Sequence, residues 1–417
     1  MIKENLKNKI NIFENLLFVL FIFFPISILL GNFLINLNIF LISLTFIFAV
    51  IFKKIYFNFK NKIFILLTFF LISLLINLVF SDNYLLSLPR IIKIFFIIFF
   101  IFSFRYLVLN LNKEKLNLIY KFWSLIFVIV IFDLIIEFFT GENLFGLKSL
   151  MPGYRLGSFT GIESVIGNYF YGFVLIFLAY IYKNYPNIKI LNLMLAFFLI
   201  ILSFLIGERS NFIKTFLIII LFSFFVYEIK YKIKALSILL VFIFGLFFLN
   251  INDHYKFRYF LQISKIFEKN GISKYLNNSQ YGAHYNVAFK IFKNNPIFGV
   301  GLKNFRVESF KKKYDNLDHP LNIIRGNTHP HQIHYEFLSE TGIFGYFSFL
   351  IFIFSSIYFS LKSYLINKNN FQLAGILFVI SSLLPLIPSG SFLSTYSSSF
   401  FWINYSIMIG YIGKNKN

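Results

Sequence analysis

The sequence has 417 residues, of which 58% are hydrophobic and only 13% are charged. A soluble domain has about 25% charged residues, so this composition excludes an ordinary soluble protein and indicates a membrane protein. Cysteine is absent, which excludes disulfides, thiolate metal sites and cysteine nucleophiles. The formal net charge of +22 follows the predicted membrane topology described below, and we do not interpret it as a sign of nucleic-acid binding.

The hydrophobic residues form uninterrupted blocks that are separated by short breaks rich in Lys and Asn. A membrane-spanning helix needs about 20 apolar residues, and blocks of this length recur along the chain. We therefore predict an all-α integral membrane protein with about twelve transmembrane helices. The predicted spans are residues 12–31, 34–52, 63–80, 91–109, 118–140, 164–182, 189–206, 212–228, 234–251, 337–361, 371–388 and 399–413.

Lysine and arginine are distributed unevenly between the two sides of the predicted membrane. With the N-terminus inside, the inner connections carry 20 of the 39 Lys and Arg residues, and the short outer connections and adjoining ends carry 6. The other 13 lie in one long hydrophilic segment, residues 252–336. They are left out of the comparison because Lys and Arg counts predict orientation only for short loops. This inside excess predicts an even number of spans, both termini in the cytoplasm and the long segment on the outer side.

The predicted spans divide the chain into three parts. Residues 1–251 contain spans one to nine, residues 252–336 form the hydrophilic segment, and residues 337–417 contain spans ten to twelve. Loops longer than about 15 residues are usually functional or disordered. Here the apolar residues of Tyr281–Phe292 recur with a helical period, so we expect a folded, partly helical segment that lies over the outer membrane surface.

The densest group of polar residues runs from Asn327 to Gly345, where the segment meets the tenth span. Pro330 suits the first turn of a helix, because its missing N–H would be unpaired there, and we therefore predict His331 in that turn. Free N–H groups and the positive dipole end favour a neutral imidazole, which acts as a base, and they also suit an anion such as phosphate. We expect Gly342 and Gly345 to let spanning helices approach closely.

Two other interpretations of these histidines stay open. They are interfacial polar residues at the mouth of a span, or they are metal ligands, since His329, His331 and His334 lie near Glu336 and histidine is the commonest metal ligand. Ligands two and three residues apart beside a proline do not converge readily. We therefore predict no metal and no cofactor.

Four arginines on the predicted outer side are candidates for binding a phosphorylated substrate: Arg155, Arg209, Arg306 and Arg325. The planar guanidinium group binds phosphate oxygens bidentately, which suits a diphosphate. The alternative for Arg209 is an ion pair with Glu208 or an anchor to lipid headgroups.

Several weaker signals concern carboxylates and glycines. Asp133 and Glu137 share one helix face near the outer end of the fifth span, where carboxylates indicate either a functional ion site or partners for the arginines. Gly299–Gly301 lacks the third glycine and the strand of a nucleotide-binding loop, so we predict a turn. Asp315 and Asp318 do not form a D-x-D pair, and a Mg²⁺-dependent sugar-nucleotide site is therefore not supported.

These features together resemble the O-antigen ligases and related polysaccharide polymerases of bacterial inner membranes. The large segment between the ninth and tenth spans is similar, and His331-Gln332, followed after nine residues by Gly342-Ile343-Phe344-Gly345, is similar to the ligase motif. Arg209-Ser210-Asn211-Phe212-Ile213 is similar to the family's Arg-x-x-x-Leu motif, with Ile in place of Leu. The stretch 295–305 is similar to its Pro-x-x-Gly-x-Gly stretch, and the resemblance covers roughly residues 150–350.

One position departs from the family pattern. Many members have an arginine about 50 residues before the histidine. In this sequence His284 is the nearest candidate for that position. Arg306 and Arg325 are the other candidates for the same role.

The resemblance implies a metal-independent glycosyltransferase that moves a glycan from undecaprenyl diphosphate to lipid A–core on the periplasmic side of the bacterial inner membrane. It implies that His331 is the base that takes a proton from the acceptor hydroxyl. It also implies cations that stabilise the leaving diphosphate, for which the candidates are Arg209, Arg306, Arg325 and Arg155. The candidate supporting residues are His284, His329 and Glu336.

Other functions fit the same sequence. A polymerase uses the same donor and a second lipid-linked glycan as acceptor, and a protein-glycosylating relative is a third enzyme of this kind. A membrane transporter with Asp133 and Glu137 as an ion site is an alternative from another class. A transporter built from repeats has spans broken by Gly or Pro at matching positions of its two halves. Here Pro385 and Pro388 break the eleventh span, and no span at a matching position is broken in the same way, which disfavours a transporter.

Overall fold

The computed structural model describes residues 2–152, 154–251, 253–261, 264, 270–315 and 319–414. Within these ranges the chain is all helical and has no strand, which confirms the predicted all-α class. Asp318 lies outside the described residues.

The first part of the chain forms a series of helices joined by short connections. Three of the connections supply an asparagine cap, since the side chains of Asn61, Asn83 and Asn112 accept backbone N–H groups of the helix that follows. The helices are α1 (Ile2–Ile22), α2 (Phe24–Leu29), α3 (Asn32–Ile51), α4 (Lys62–Val79), α5 (Tyr84–Asn110), α6 (Lys113–Thr140), α7 (Ile166–Asn184), α8 (Lys189–Leu205), α9 (Arg209–Val226) and α10 (Tyr231–Ile251).

The hydrophilic segment and the last part of the chain contain the remaining long helices. They are α11 (Gly271–Asn278), α12 (Gln280–Asn294), α13 (Ile333–Asn367), α14 (Asn370–Ser382) and α15 (Thr395–Gly410). Helix α12 confirms the helix predicted over Tyr281–Phe292. Its buried face packs with Val300, Phe305 and Tyr314 in a small apolar core of the segment itself.

Every predicted span overlaps one of these helices, although the boundaries differ. In the described part of the chain, seven helices are long and apolar enough to cross a membrane, namely α3, α4, α5, α6, α7, α9 and α13. Residues 12–22 of α1, together with α8 and α14, are shorter apolar helices. These helices support a membrane protein, while the number of twelve spans and their orientation stay predictions.

Two predicted spans differ from the structure because of proline. The first span is divided into α1 and α2, and Pro25 lies in the first turn of α2. The eleventh span ends early, at Ser382, ahead of Pro385 and Pro388. A proline disfavours helical conformation in the residue before it and lacks the N–H that a helix interior needs.

The bundle is organised around α5 and α7. Helix α5 contacts α3, α4 and α15, whereas α7 contacts α6, α9 and α14. A large cluster of buried apolar side chains runs through these helices. The hydrophilic segment joins the bundle through α12, which packs on α13.

Helix α13 is interrupted at Gly342, where φ is 62° and ψ is −167°, a backbone conformation that is essentially restricted to glycine. The turn 296–301 of the segment fits into this interruption, and a Cβ on Gly342 would lie 2.4 Å from the carbonyl carbon of Ile297. Four backbone hydrogen bonds of 2.8–3.1 Å join this turn to α13. The N–H groups donate to the carbonyl groups in the pairs Val300 to Ser339, Gly301 to Glu340, Ile343 to Pro296 and Phe344 to Ile297.

The predicted role of Gly342 is therefore wrong. Gly342 admits a turn of the hydrophilic segment and not a second spanning helix, because the nearest atoms to its Cβ position belong to that turn. At Gly345 the nearest atoms are those of the Thr341 side chain in its own helix. The predicted turn at Gly299–Gly301 is confirmed, and its glycines both have positive φ.

Asp133 and Glu137 are buried at the end of α6 and hold the loop that follows. Glu137 accepts the N–H groups of Gly157 at 2.9 Å and of Ser158 at 2.6 Å. Asp133 accepts the N–H of Leu144 at 2.8 Å and the hydroxyl of Ser158. These contacts are those of a loop anchor, which accounts for both carboxylates without an ion-transport role.

Candidate active site

His331 lies in the loop directly before α13. The helix begins at Ile333 and is capped by Gln332, whose side chain accepts two N–H groups of the first turn at 2.7 and 3.1 Å. The prediction that Pro330 and His331 form the first turn is therefore wrong, and the cap already satisfies N–H groups that had been assigned to an anion. The loop is held in place because the carbonyl of His331 accepts the N–H of Ser389 at 2.7 Å.

Three histidine rings form a cluster between this loop and α12. The ring centroid of His331 lies 4.1 Å from that of His329 and 5.3 Å from that of His284. Tyr281 packs against the same ring with its centroid at 5.7 Å. The structure thus brings together the predicted base and two of the three predicted supporting residues, of which His284 is far from His331 in the sequence.

Asn327 determines which ring nitrogens are unprotonated. Its side-chain oxygen accepts the N–H of Thr328 at 2.6 Å, so its NH₂ group faces the histidines. The amide nitrogen lies 3.1 Å from Nε2 of His331 and 3.4 Å from Nε2 of His284. Because an NH₂ group only donates, both Nε2 atoms are acceptors. The proton of His284 is then on Nδ1, which donates to the carbonyl of Arg325 at 2.9 Å.

The environment keeps these rings uncharged. Burial, together with the neighbouring His329 and His284, lowers the pKa of His331 to about 3. Burial lowers the pKa of His329 to about 4, with an additional contribution from the charge of Lys303. Burial also lowers the pKa of His284. All three rings are therefore neutral at neutral pH, as a group that accepts a proton must be.

Glu336 is buried and supports His331 from a distance. Its carboxylate accepts a hydroxyl and, at 2.8 Å, a backbone N–H from the loop 389–392. It also lies 4.0 Å from Nζ of Lys303, which donates to the same loop at 2.6 Å. Since this loop in turn donates to the carbonyl of His331, Glu336 acts on His331 through the loop and does not contact its ring in these interactions.

Four cations, Arg90, Lys93, Lys303 and Arg306, lie close together beside the histidines, and we call them the cation cluster. Arg90 and Lys93 come from α5, whereas Lys303 and Arg306 come from the hydrophilic segment. Arg90 lies close enough to Arg306, and Lys93 close enough to Arg90 and Lys303, for their charges to repel one another. Such a concentration of positive charge indicates an anion site.

Glu340 holds the part of the cation cluster that belongs to the segment. Its carboxylate is fully buried and accepts the backbone N–H of Lys303 at 2.7 Å. Nε of the nearby Arg306 is buried and forms no hydrogen bond within the described part of the chain. Both cations lie close enough to His329 to affect its pKa. The predicted base and the cation cluster are therefore parts of one site, linked by His329.

The structure places the predicted arginines in different surroundings. Arg306 belongs to the cation cluster. Arg325 forms an ion pair with Asp315, and its guanidinium donates to the carbonyl of Asn322 at 3.2 Å. The guanidinium of Arg325 thus stabilises the fold of the segment, while its carbonyl orients His284.

The other two arginines lie near α9. Arg155 lies 3.6 Å from the carboxylate of Glu208 and forms an ion pair with it. Glu208 is the carboxylate that was the alternative partner predicted for Arg209. Glu208 is 7% exposed and accepts the N–H of Gly167 at 2.8 Å. Burial raises the pKa of Tyr275 to about 12, and the charge of Arg209 opposes this rise. The guanidinium of Arg209 therefore lies near Tyr275 in the hydrophilic segment.

Four residues of the site, Arg90, Lys93, Lys303 and Asn327, are not among the predicted site residues. Arg90 and Lys93 are two of the six Lys and Arg residues on the predicted outer side, and their spacing of three residues is a sign of a shared helix face. The other two carry no such local sign. Over the described ranges, no group of three or more His, Cys, Asp or Glu side chains is placed to hold a metal ion.

The fold and the site define a multi-helix membrane protein with a neutral histidine beside a cation cluster. Residues 193–350 match the family model of the O-antigen ligases. This match confirms the resemblance to an O-antigen ligase-like family that the sequence shows. It supports a function of the ligase or polymerase type, carried out by glycosyltransferase-like enzymes. No curated protein matches the chain.

Proposed function

We propose that the protein is a glycosyltransferase that moves a glycan from undecaprenyl diphosphate to lipid A–core at the periplasmic face of a bacterial inner membrane. The observation that carries this proposal is the position of a neutral His331 beside the cation cluster, with His329 between them. A hydroxyl that displaces a diphosphate needs a base and an anion site side by side. The family match supports the same class of reaction.

In the proposed reaction, the acceptor hydroxyl attacks the anomeric carbon of the donor glycan while His331 takes the proton of that hydroxyl. Nε2 is the receiving atom, because Asn327 marks it as the unprotonated nitrogen, and the hydroxyl takes the place of the Asn327 amide there. The bond between the anomeric carbon and the diphosphate oxygen breaks, and its electron pair leaves with undecaprenyl diphosphate. One such displacement inverts the anomeric carbon, and His331 then releases its proton to solvent.

The cation cluster binds the diphosphate in this proposal. Its four cations exceed the two neighbouring carboxylates, Glu336 and Glu340, so positive charge remains for an anion that gains charge as it leaves. Among the predicted arginines, Arg306 is favoured because Arg325 and Arg155 already pair with carboxylates. No cofactor or metal has a part in these steps.

The membrane location is supported by the distribution of charge in the sequence. The inner connections carry 20 Lys and Arg residues and the short outer ones carry 6, which favours cytoplasmic termini and a periplasmic site. Both lipid-linked substrates would then lie in the outer leaflet of the inner membrane, next to the hydrophilic segment.

A polymerase that uses the same donor is the second candidate. The specific observation in its favour is Arg209, a further cation that lies near Tyr275 of the segment and outside the cation cluster. A second lipid-linked acceptor also carries a diphosphate, for which such a cation is suited. A transporter is not proposed, since Asp133 and Glu137 anchor a loop.

Deletion of the gene followed by gel electrophoresis of lipopolysaccharide tests the proposed function. Loss of all glycan ladder bands supports the ligase, bands with a single repeat support the polymerase, and an unchanged profile contradicts both. Complementation with His331→Ala should fail although the protein still inserts in the membrane. Complementation with His319→Ala is the matched control, because His319 lies in the same segment but outside the histidine cluster, and we expect it to restore the ladder.

A further inference from the structure

A cavity of about 270 Å³ lies between the hydrophilic segment and the first turns of α13. Tyr285, Asn286 and Phe289 of α12 form one wall, and Tyr335 of α13 forms part of the other. The proposed reaction, as described above, uses none of these side chains. The cavity therefore requires an explanation of its own.

The walls of the cavity are preformed. The rings of Tyr285 and Tyr335 stack with their centroids 4.8 Å apart and their planes at 11°, and Tyr285 is only 1% exposed. His334, on the same wall as Tyr335, has Nε2 2.8 Å from the carbonyl of Leu383 and Nδ1 2.9 Å from the hydroxyl of Tyr346. Because a carbonyl only accepts, Nε2 donates and Nδ1 accepts, and both bonds fix the ring.

A row of aromatic rings connects the cavity with the predicted base. The ring of Tyr285 stacks on that of Tyr281, one helical turn earlier, at 6.5 Å, and Tyr281 contacts His331 at 5.7 Å. His331 also contacts His329, which lies next to the cation cluster. The order of contacts is therefore cation cluster, His329, His331, Tyr281, Tyr285 and cavity.

We propose that this cavity binds one pyranose ring of the acceptor glycan, namely the sugar next to the one whose hydroxyl reacts at His331. This proposal rests on the proposed glycosyltransferase function. In a single displacement the hydroxyl approaches from the side opposite the leaving group. Since the diphosphate is assigned to the cation cluster, the acceptor approaches from the side of Tyr281 and the cavity.

The chemistry and size of the cavity fit a single sugar ring. A pyranose presents an apolar face to an aromatic ring and hydroxyls to a polar group. The ring of Phe289 is available for the apolar face because it is 43% exposed, whereas the ring of Tyr285 is covered by Tyr281 and Tyr335. Asn286 is suited to be the polar group, because its NH₂ donates to the carbonyl of Leu276 at 3.2 Å and thereby orients its side-chain oxygen as an acceptor. The volume lies just below the range of about 300–1,000 Å³ for sites of larger ligands, so an oligosaccharide would not fit.

Two variants change the cavity without touching the predicted base or cation cluster. Leu276→Trp fills the cavity from its wall, and Phe289→Ala removes an aromatic ring that is 43% exposed. The matched control is Phe257→Ala, which removes a ring that is 51% exposed and does not line the cavity. Phe289→Trp retains an aromatic surface and should preserve binding.

The assay measures steady-state transfer by the purified full-length protein from an undecaprenyl-diphosphate-linked glycan to host lipid A–core. We expect Leu276→Trp and Phe289→Ala to raise the acceptor KM about tenfold, with the donor KM and kcat close to wild type. Phe257→Ala and Phe289→Trp should show the wild-type acceptor KM. An unchanged acceptor KM in both cavity variants overturns the sugar site while leaving the proposed function intact.

A shortened acceptor separates direct binding from an indirect effect. Lipid A–core that ends at the reacting sugar and lacks the neighbouring one has no group to place in the cavity. We therefore expect wild type and Phe289→Ala to have the same KM for this acceptor. If the variant weakens the shortened and the full acceptor equally, the effect is structural and the sugar site is rejected. If the wild-type protein transfers glycan to neither acceptor, the proposed function itself is rejected together with the site.

Discussion

Replacement of Gly342 by alanine tests how the hydrophilic segment is attached to α13. The residue has φ 62° and ψ −167°, and a side chain in this conformation costs about 1–3 kcal/mol. The new Cβ would also lie 2.4 Å from the carbonyl carbon of Ile297, so the turn 296–301 has to move. Four backbone hydrogen bonds join this turn to the helix, each worth about 1 kcal/mol. We expect the attachment to weaken by about 2 kcal/mol or more beyond the cost of the backbone conformation.

Amide hydrogen exchange followed by mass spectrometry measures this effect at the turn. A loss of about 2 kcal/mol accelerates local exchange roughly 30-fold, which would appear in peptides that contain Val300 and Gly301. Gly31→Ala is the matched control, because Gly31 has φ 107° and ψ −179° but nothing within 4 Å of its Cβ position. Unchanged exchange at the turn in Gly342→Ala would refute the structural role of this glycine, as would equal acceleration there in Gly31→Ala.

Two further predictions concern the charges of the site. The rate of transfer should vary by less than about twofold between pH 7.5 and 5.5, because the pKa of His331 is about 3. With a histidine whose pKa is about 6.5, the rate would fall roughly tenfold over the same range. Asn327→Asp raises the pKa of His331 and should therefore make the rate fall at acid pH. The same shift affects stability: an unfolded histidine binds a proton below about pH 6.5, so the stability from burying it neutral is present above that pH and is lost as the pH falls toward 3, which acid unfolding would show. Lys303→Ala should destabilise the protein by about 3–5 kcal/mol in denaturant unfolding, because Glu336 keeps a buried charge without its cation. Adding Glu336→Gln should restore part of the lost stability. If the losses of the two single variants simply add in the double variant, the pairing of Lys303 with Glu336 is contradicted.

Local sequence patterns predicted the features that depend on neighbouring residues. The apolar blocks predicted helices because a helix buried in lipid has to be apolar over its length. The helical period of Tyr281–Phe292 predicted α12 because the apolar residues that pack on the core of the segment recur on one face of the helix. The match of residues 193–350 confirms the resemblance to the O-antigen ligases that the motif around His331 and the order of the predicted spans suggested.

Features that depend on distant contacts were not predictable in this way. The turn that carries Lys303 is held by Glu340, which lies 37 residues later, and nothing near either residue in the sequence indicates this contact. The start of α13 was misplaced because Pro330 is acceptable at a first turn, whereas the side chain of Gln332 supplies the cap that decides it. The pairing of Arg325 with Asp315 likewise became visible only in the folded segment.

The most direct test of the proposed chemistry is single-turnover transfer by purified protein from an undecaprenyl-diphosphate-linked glycan. Wild type, His331→Ala and His331→Gln are compared, with His319→Ala as the control from the same segment. We expect both His331 variants to lose about 10²–10⁴-fold in the rate of transfer, with donor binding and helix content unchanged, and we expect His319→Ala to react like wild type. A His331→Ala protein that transfers glycan at the wild-type rate would contradict the assignment of His331 as the base.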